Sequence, residues 1–165
     1  MKRIIALLLC LLCTVSLFAC GAGSNDETSN ENNSQQTANV NLTEIKDSII
    51  TKLAIDGAMD MDTSMLLNLY GIDEADVKES ACFATMDGVF PDEIVMVRAT
   101  DSNASARIAE KLQTRLEAVL VQSKNYDAQN YEIAQKCKVI TKGDIVALFI
   151  SANHETMQGI FNNAF

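Results

Sequence analysis

Two cysteines and the single histidine are the residues with which this chain could perform nucleophilic catalysis: Cys82, Cys137 and His154. A catalytic cysteine needs a histidine beside it, an exposed thiol and surroundings that lower the thiol pKa. Both cysteines lie in segments that we predict as strands, which favours buried or paired thiols. His154 begins the last predicted helix, where we expect a polar surface residue. A zinc site built on several histidines is excluded because the chain has one histidine.

A disulfide between Cys82 and Cys137 is left open by the sequence. The two residues come close in space if their predicted hairpins share one sheet. A bond requires about 5.5 Å between the Cα atoms, which neighbouring strands do not guarantee. The predicted compartment, outside the reducing cytoplasm, permits such a bond.

The acidic residues suggest a metal site at one place, residues 60–64, which begin like an EF-hand loop. That loop requires glycine at its sixth position and a bidentate glutamate at its twelfth, where this chain has Met65 and Gly71. We therefore predict that Asp62 caps a helix, and we assign no metal ligand. The acid clusters at 73–76 and 92–93 are predicted to be solvated loop residues, so no catalytic residue is assigned either.

Tyr126 and Tyr131 flank a polar stretch that we predict as a loop over residues 125–130. Aromatic rings at such a place could stack on a sugar or a peptide, which makes these two residues candidate ligand contacts. The alternative is that they anchor the loop by burying half of each ring.

The first 20 residues have the features of a targeting signal. Residues 1–19 have a cationic start and an apolar run, and residues 17–20 read Leu-Phe-Ala-Cys. This pattern is typical of a secretory signal, and the cysteine at the cleavage point indicates a bacterial lipoprotein. We expect diacylglycerol on the Cys20 thiol and attachment to the outer face of the cytoplasmic membrane. An uncleaved anchor, which needs about 20 apolar residues, and ordinary cleavage after Ala19 are the alternatives.

Charge limits the partners of the mature chain. Of the 13 basic and 22 acidic residues, cleavage removes Lys2 and Arg3 and no acid, which leaves a formal net charge of −11. Such a surface repels nucleic acid and anionic headgroups, since both need a basic footprint. We therefore expect no nucleic-acid partner, and membrane attachment through the lipid on Cys20.

The chain divides into the signal at 1–19, a lipidated and disordered tether at 20–40, and one domain at 41–165. The tether lacks lysine, arginine and aromatic residues, so it has too little apolar surface to fold. In the domain, apolar spacing and turn residues predict helices at about 41–56, 63–70, 103–122 and after 153, and strands at about 77–86, 93–100, 134–141 and 145–151.

This order, ααββαββα, predicts an α+β fold. About four strands in two hairpins would form an antiparallel sheet, with one layer of helices packed on it. Residues 145–150 are apolar at every position, which indicates a central strand covered on both faces.

The layout resembles an uncharacterised family of small lipoproteins from clostridial-type Gram-positive bacteria, known only as a domain of unknown function. The residues that carry the resemblance are the 17–20 lipobox, Leu69-Tyr70-Gly71-Ile72, Asp92-Glu93-Ile94, and the stretch from Gly143-Asp144-Ile145 to Ile150-Ser151. It covers about residues 41–165. The resemblance implies no assigned active site.

Two function classes remain. The first is a non-catalytic, lipid-anchored extracytoplasmic module that binds a protein, a peptide or a wall component. The second is a small cell-envelope hydrolase with an unrecognised acidic site. The first is favoured because the sequence contains no recognisable pair of a nucleophile and its base and no metal-binding motif. The sequence also implies no cofactor. A two-lobed solute receptor is disfavoured because about 125 residues form one lobe.

Overall fold

The computed structural model describes residue 37, residues 39–86 and residues 92–165. The helices are α1 (Leu42–Leu53), α2 (Thr63–Tyr70), α3 (Ser102–Tyr126), α4 (Ala128–Ala134) and α5 (His154–Asn162). The strands are β1 (Ala58–Asp60), β2 (Val77–Ser80), β3 (Phe83–Thr85), β4 (Glu93–Ala99), β5 (Val139–Lys142) and β6 (Ile145–Ile150), and a 3₁₀ turn covers Glu74–Asp76.

The six strands form one antiparallel sheet in the order β1-β3-β4-β6-β5, and β2 pairs with β4 beside β3. Strands β2 and β3 both pair with the same side of β4. Between them, the Ala81 N–H also donates to the Met96 carbonyl of β4, at 2.9 Å. The predicted strand at 77–86 is therefore nearly continuous. The prediction of about four strands is wrong in detail, because this strand divides and β1 was not anticipated.

Helices cover both faces of the sheet. Helices α2, α3 and α4 cover what we call the front face, and α1 and α5 cover the back face. Every residue of β4 and β6 is buried, and their side chains alternate between the two apolar cores. The predicted single layer of helices is wrong, because two strands that are apolar on both faces need cover on both.

Local signals place most helix ends as predicted. The Asn41, Asp62 and Asp101 side chains accept hydrogen bonds from the first turns of α1, α2 and α3. Gly71 ends α2 at φ 68°, with Ile72 N–H on the Leu66 carbonyl at 3.3 Å, which is the predicted Schellman closure.

The region after α3 differs from the prediction. The expected loop at 125–130 is the single residue Asp127, whose carboxylate accepts from the Asn130 N–H at 3.1 Å and so starts α4 at once. Helix α4 continues through Ala134, so the second hairpin begins at Val139 and not at 134. An aspartate that caps one helix where another ends removes the need for a longer connection.

Candidate binding surface

Cys82 and Cys137 are buried, separate thiols on the front-face core. Cys82 lies between β2 and β3, and Cys137 lies in the turn after α4, so the prediction that they are strand residues is wrong in detail. Each Sγ donates to a backbone carbonyl, Met96 at 3.5 Å and Ile133 at 3.4 Å. Burial raises the pKa of Cys82 to about 12 and also raises the pKa of Cys137. Both shifts keep the thiols protonated, which is the opposite of what a nucleophile requires.

His154 is buried at the first position of α5, so the prediction of a surface residue is wrong. Its Nδ1 has no hydrogen-bond partner among the described residues, and none of their hydrogen bonds joins His154 to either cysteine. His154 is buried because it lies on the same helix face as Met157 and Phe161, three and seven positions further on. Both of those residues belong to the back-face core. The three residues do not form a Cys–His site.

The acids of residues 60–64 behave as helix-cap and surface groups. Asp62 accepts from the Met65 N–H at 2.9 Å, as predicted, and Asp60 pairs with Lys46 at 2.6 Å. Within the part of the chain that the structure describes, no group of three or more histidine, cysteine or acidic side chains could hold a metal ion.

Glu93 is a buried ion-pair residue, so its assignment to the solvated surface is wrong. It is the first residue of β4, and Arg115 of α3 donates to its carboxylate from Nε at 3.0 Å and from Nη2 at 2.6 Å. The guanidinium carbon lies 6.0 Å from the centroid of the Tyr70 ring. Burial, followed by the negative charge of Glu93, raises the pKa of Tyr70 above its ordinary value. This cluster joins α2, β4 and α3 and holds a neutral phenol.

Arg98 forms a second buried cluster at the other end of β4. Its side chain is 6% exposed, and the guanidinium donates to the carbonyls of Thr37 at 2.8 Å and Val40 at 2.7 Å. It also pairs with Glu79 at 3.0 Å and with Asp144 at 3.3 Å. Thr37 and Val40 are themselves buried. Part of the segment that composition assigned to the tether therefore packs on the domain.

Tyr126 and Tyr131 lie on either side of the short α3–α4 break. Tyr126 ends α3 and is 87% exposed, whereas Tyr131 lies inside α4 and is half-buried. Their role as ligand contacts stays a prediction. Cys20 and the signal at 1–19 lie outside the described residues.

An exposed apolar strip borders the Glu93 cluster on the front face. Strand pairing puts Met59 of β1, Ala84 of β3 and Glu93 of β4 in one row across the sheet. Met59 is 46% exposed. Met86 follows Ala84 by two residues, so the alternation of a strand places it on the same face, where it is 75% exposed.

Helix α2 adds two residues to this strip. Leu66 and Tyr70 point into the front-face core, which leaves one flank of α2 on each side of them. The flank of Gly71 faces α3, because a Cβ there would lie 3.8 Å from the Lys111 side chain. Helical spacing puts Met65 and Leu69 on the flank opposite Gly71, where they are 41% and 59% exposed. We call Met59, Met65, Leu69 and Met86 the methionine surface.

Sequence reasoning missed the methionine surface because β1 has three residues, too few for a periodic pattern. One signal was present: methionine and aspartate alternate over residues 59–62, as in a strand with two different faces. Arg98 and Arg115 gave no local signal, since their partners are 19 to 61 residues away in the chain.

Residues 51–151 match the family described as a domain of unknown function, DUF4358. The match covers more than half of the chain, which therefore belongs to this family. No curated protein and no solved structure matches the chain. The matched range includes all six strands, the methionine surface, Glu93 and Arg115, whereas Thr37 and His154 lie outside it. In the described part of the chain, no helix is both long and apolar enough to cross a bilayer.

Proposed function

We propose that this protein is a lipid-anchored extracytoplasmic module that binds another polypeptide through the methionine surface. The observation that carries the proposal is a set of four large apolar side chains, two from β1 and the end of β3 and two from one flank of α2, that are all exposed on an acidic chain. Grouped exposed apolar residues are typical of interaction sites, whereas single ones are ordinary. Methionine is suited to such a site because its flexible, polarisable side chain adapts to different partners.

The Glu93 cluster supports the proposal by holding the methionine surface in place. Tyr70 is the last residue of α2, and its ring lies against Arg115, whose carboxylate partner Glu93 is in the same row as Met59. These contacts fix the position of α2, and the strand pairing fixes that of β1, relative to β4 at the centre of the sheet. A preformed surface loses less conformational entropy when a partner binds.

Anchoring rests on the sequence pattern at residues 1–20. A lipid on Cys20 would provide attachment, and two acyl chains anchor stably where one does not. The formal net charge of the whole chain is −9, so attraction to anionic headgroups would not contribute. The hydrolase alternative requires a carboxylate free to take or give a proton. Glu93, the buried acid of the front face, is instead occupied by two nitrogens of Arg115.

The test places a photo-crosslinking amino acid at position 59 of the full-length protein in its own cells. We expect one polypeptide to be crosslinked at position 59 and the product to disappear in a Leu69→Asp background. The same amino acid at Thr156, exposed on the back-face helix α5, is the matched control and should give no such product. Equal products from both positions, or a product unaffected by Leu69→Asp, would rule out the methionine surface.

A further inference from the structure

Among the described residues, strand β1 pairs with β3 alone, which leaves the outer side of its backbone unpaired beside the methionine surface. In antiparallel pairs, hydrogen-bonded and non-bonded positions alternate. The Met61 N–H donates to the Cys82 carbonyl at 3.0 Å, so Met59, paired with Ala84, is the next bonded position. The N–H and C=O groups of Ala58 and Asp60 therefore point away from β3, at the edge of the sheet.

The strands at the two ends of the order β1-β3-β4-β6-β5 differ in their protection. Strand β5 ends in Lys142 and follows Lys138, and lysine on an edge strand is a common device against strand pairing. Strand β1 contains neither lysine nor proline. Its exposed Met59 offers an apolar contact next to the open backbone, which is the combination used when a peptide adds a strand to a sheet.

We propose that the partner contributes an extended, basic segment that pairs with the edge of β1 and lays apolar side chains on the methionine surface. This inference rests on the proposed function and specifies its ligand. The basic character follows from the three exposed aspartates around β1, which are Asp56, Asp60 and Asp62. Residues 54–62 contain no lysine or arginine, and in the described part of the chain Lys46 is the one cation that forms an ion pair with this group. Flanking lysines or arginines on the added strand would complement these charges.

Charge also argues against two other occupants. A second copy paired through β1 would bring its three aspartates against the same three, which is unfavourable. The chain's own residues 21–36 contain three acids and no basic residue. The chain that follows them enters the domain at Thr37, on Arg98. Arg98 lies five positions along β4 from Glu93, which is about 17 Å in a strand. The chain therefore enters the domain at the end of β4 that is away from Glu93 and the row that contains Met59.

The experiment uses the full mature protein in zwitterionic nanodiscs and labelled nine-residue peptides. The probe peptide alternates valine and threonine between paired lysines at its ends. The matched controls have glutamates at the ends, or a proline at the centre that removes a backbone donor. We expect binding of the lysine peptide, at least tenfold weaker binding of both controls, and weaker binding as salt rises.

Hydrogen exchange identifies the edge that is used. The amides of Ala58 and Asp60 should become protected when the lysine peptide binds, whereas those of β5 should not. Binding without this protection, equal binding of the glutamate or proline peptide, or dimers formed by the protein itself would overturn the inference. If Leu69→Asp abolishes the cellular crosslink at position 59 and the lysine peptide fails, the proposed function stands and strand addition is wrong.

Discussion

Replacing Arg98 by methionine is expected to loosen the chain at Thr37–Val40 and to destabilise the whole domain. Methionine keeps an unbranched stem that reaches as far as the arginine Nε but removes every donor. The Arg98 side chain is 6% exposed, and its guanidinium donates to two backbone carbonyls and two carboxylates. The substitution therefore removes the hydrogen bonds and keeps the packing of the aliphatic stem.

The expected loss of unfolding free energy depends on whether water can replace Arg98 at each of its hydrogen-bond partners. Glu79 and Asp144 are 37% and 32% exposed, so water can take over, and losing each pair costs about 0–1 kcal/mol. The carbonyl of buried Val40 loses its donor, and an unsatisfied buried acceptor costs about 1–3 kcal/mol. A total loss of about 3 kcal/mol corresponds to a urea midpoint lower by about 1.5 M, for a slope of about 2 kcal/mol/M.

The assay is urea unfolding followed by far-ultraviolet circular dichroism, since the chain has no tryptophan. Limited proteolysis in native buffer should cut the variant faster near residue 37. Arg107→Met, which removes the exposed pair with Asp76, is the matched control and should leave both readouts nearly unchanged. An Arg98→Met midpoint within 0.5 M of the wild type, a shift of about 1 kcal/mol at the same slope, would refute this reasoning. Unchanged cleavage near residue 37 would do the same.

Three further outcomes are expected. Mass spectrometry of the membrane-extracted protein should find diacylglycerol on Cys20, and Cys20→Ala should be released into the medium; an unmodified Cys20 would contradict the anchor. Because burial raises the pKa of Cys82 to about 12, unfolded chains lose the thiol proton first. Stability should therefore be complete below about pH 9 and fall towards pH 12, by at most about 1.4 kcal/mol per pH unit, and less steeply in Cys82→Ala. Glu93→Gln should cost about 1–3 kcal/mol of unfolding free energy by leaving Arg115 poorly paired; a denaturation midpoint like that of the wild type would argue against the buried pair.

Local sequence signals predicted the helix ends well. Asn41, Asp62 and Asp101 each accept from an N–H three residues away, and Gly71 supplies a left-handed backbone position that other residues avoid. Such interactions are complete within one turn of chain, so they can be recognised without any tertiary contact. The long amphipathic pattern of α3 and the apolar run of β6 are readable for the same reason.

Tertiary contacts decided the burial of the charged residues. Glu93 lies in a polar dipeptide that reads as a loop, yet a central strand and an arginine 22 residues away bury it. Arg98 interrupts an apolar strand, and its four partners come from distant parts of the chain. The cost of burying a charge depends on partners that are defined only once the chain has folded.

The sequence by itself determined an α+β chain with capped helices, a covered central strand and an acidic composition. The tertiary structure decided that helices lie on both faces, that Cys82 and Cys137 remain separate thiols, and that β1, within the described residues, has a strand on one side only. The physical reason is the distance along the chain over which the interactions act. Capping and periodicity act over three or four residues, whereas an edge or an exposed apolar surface exists only where no other part of the folded chain covers it.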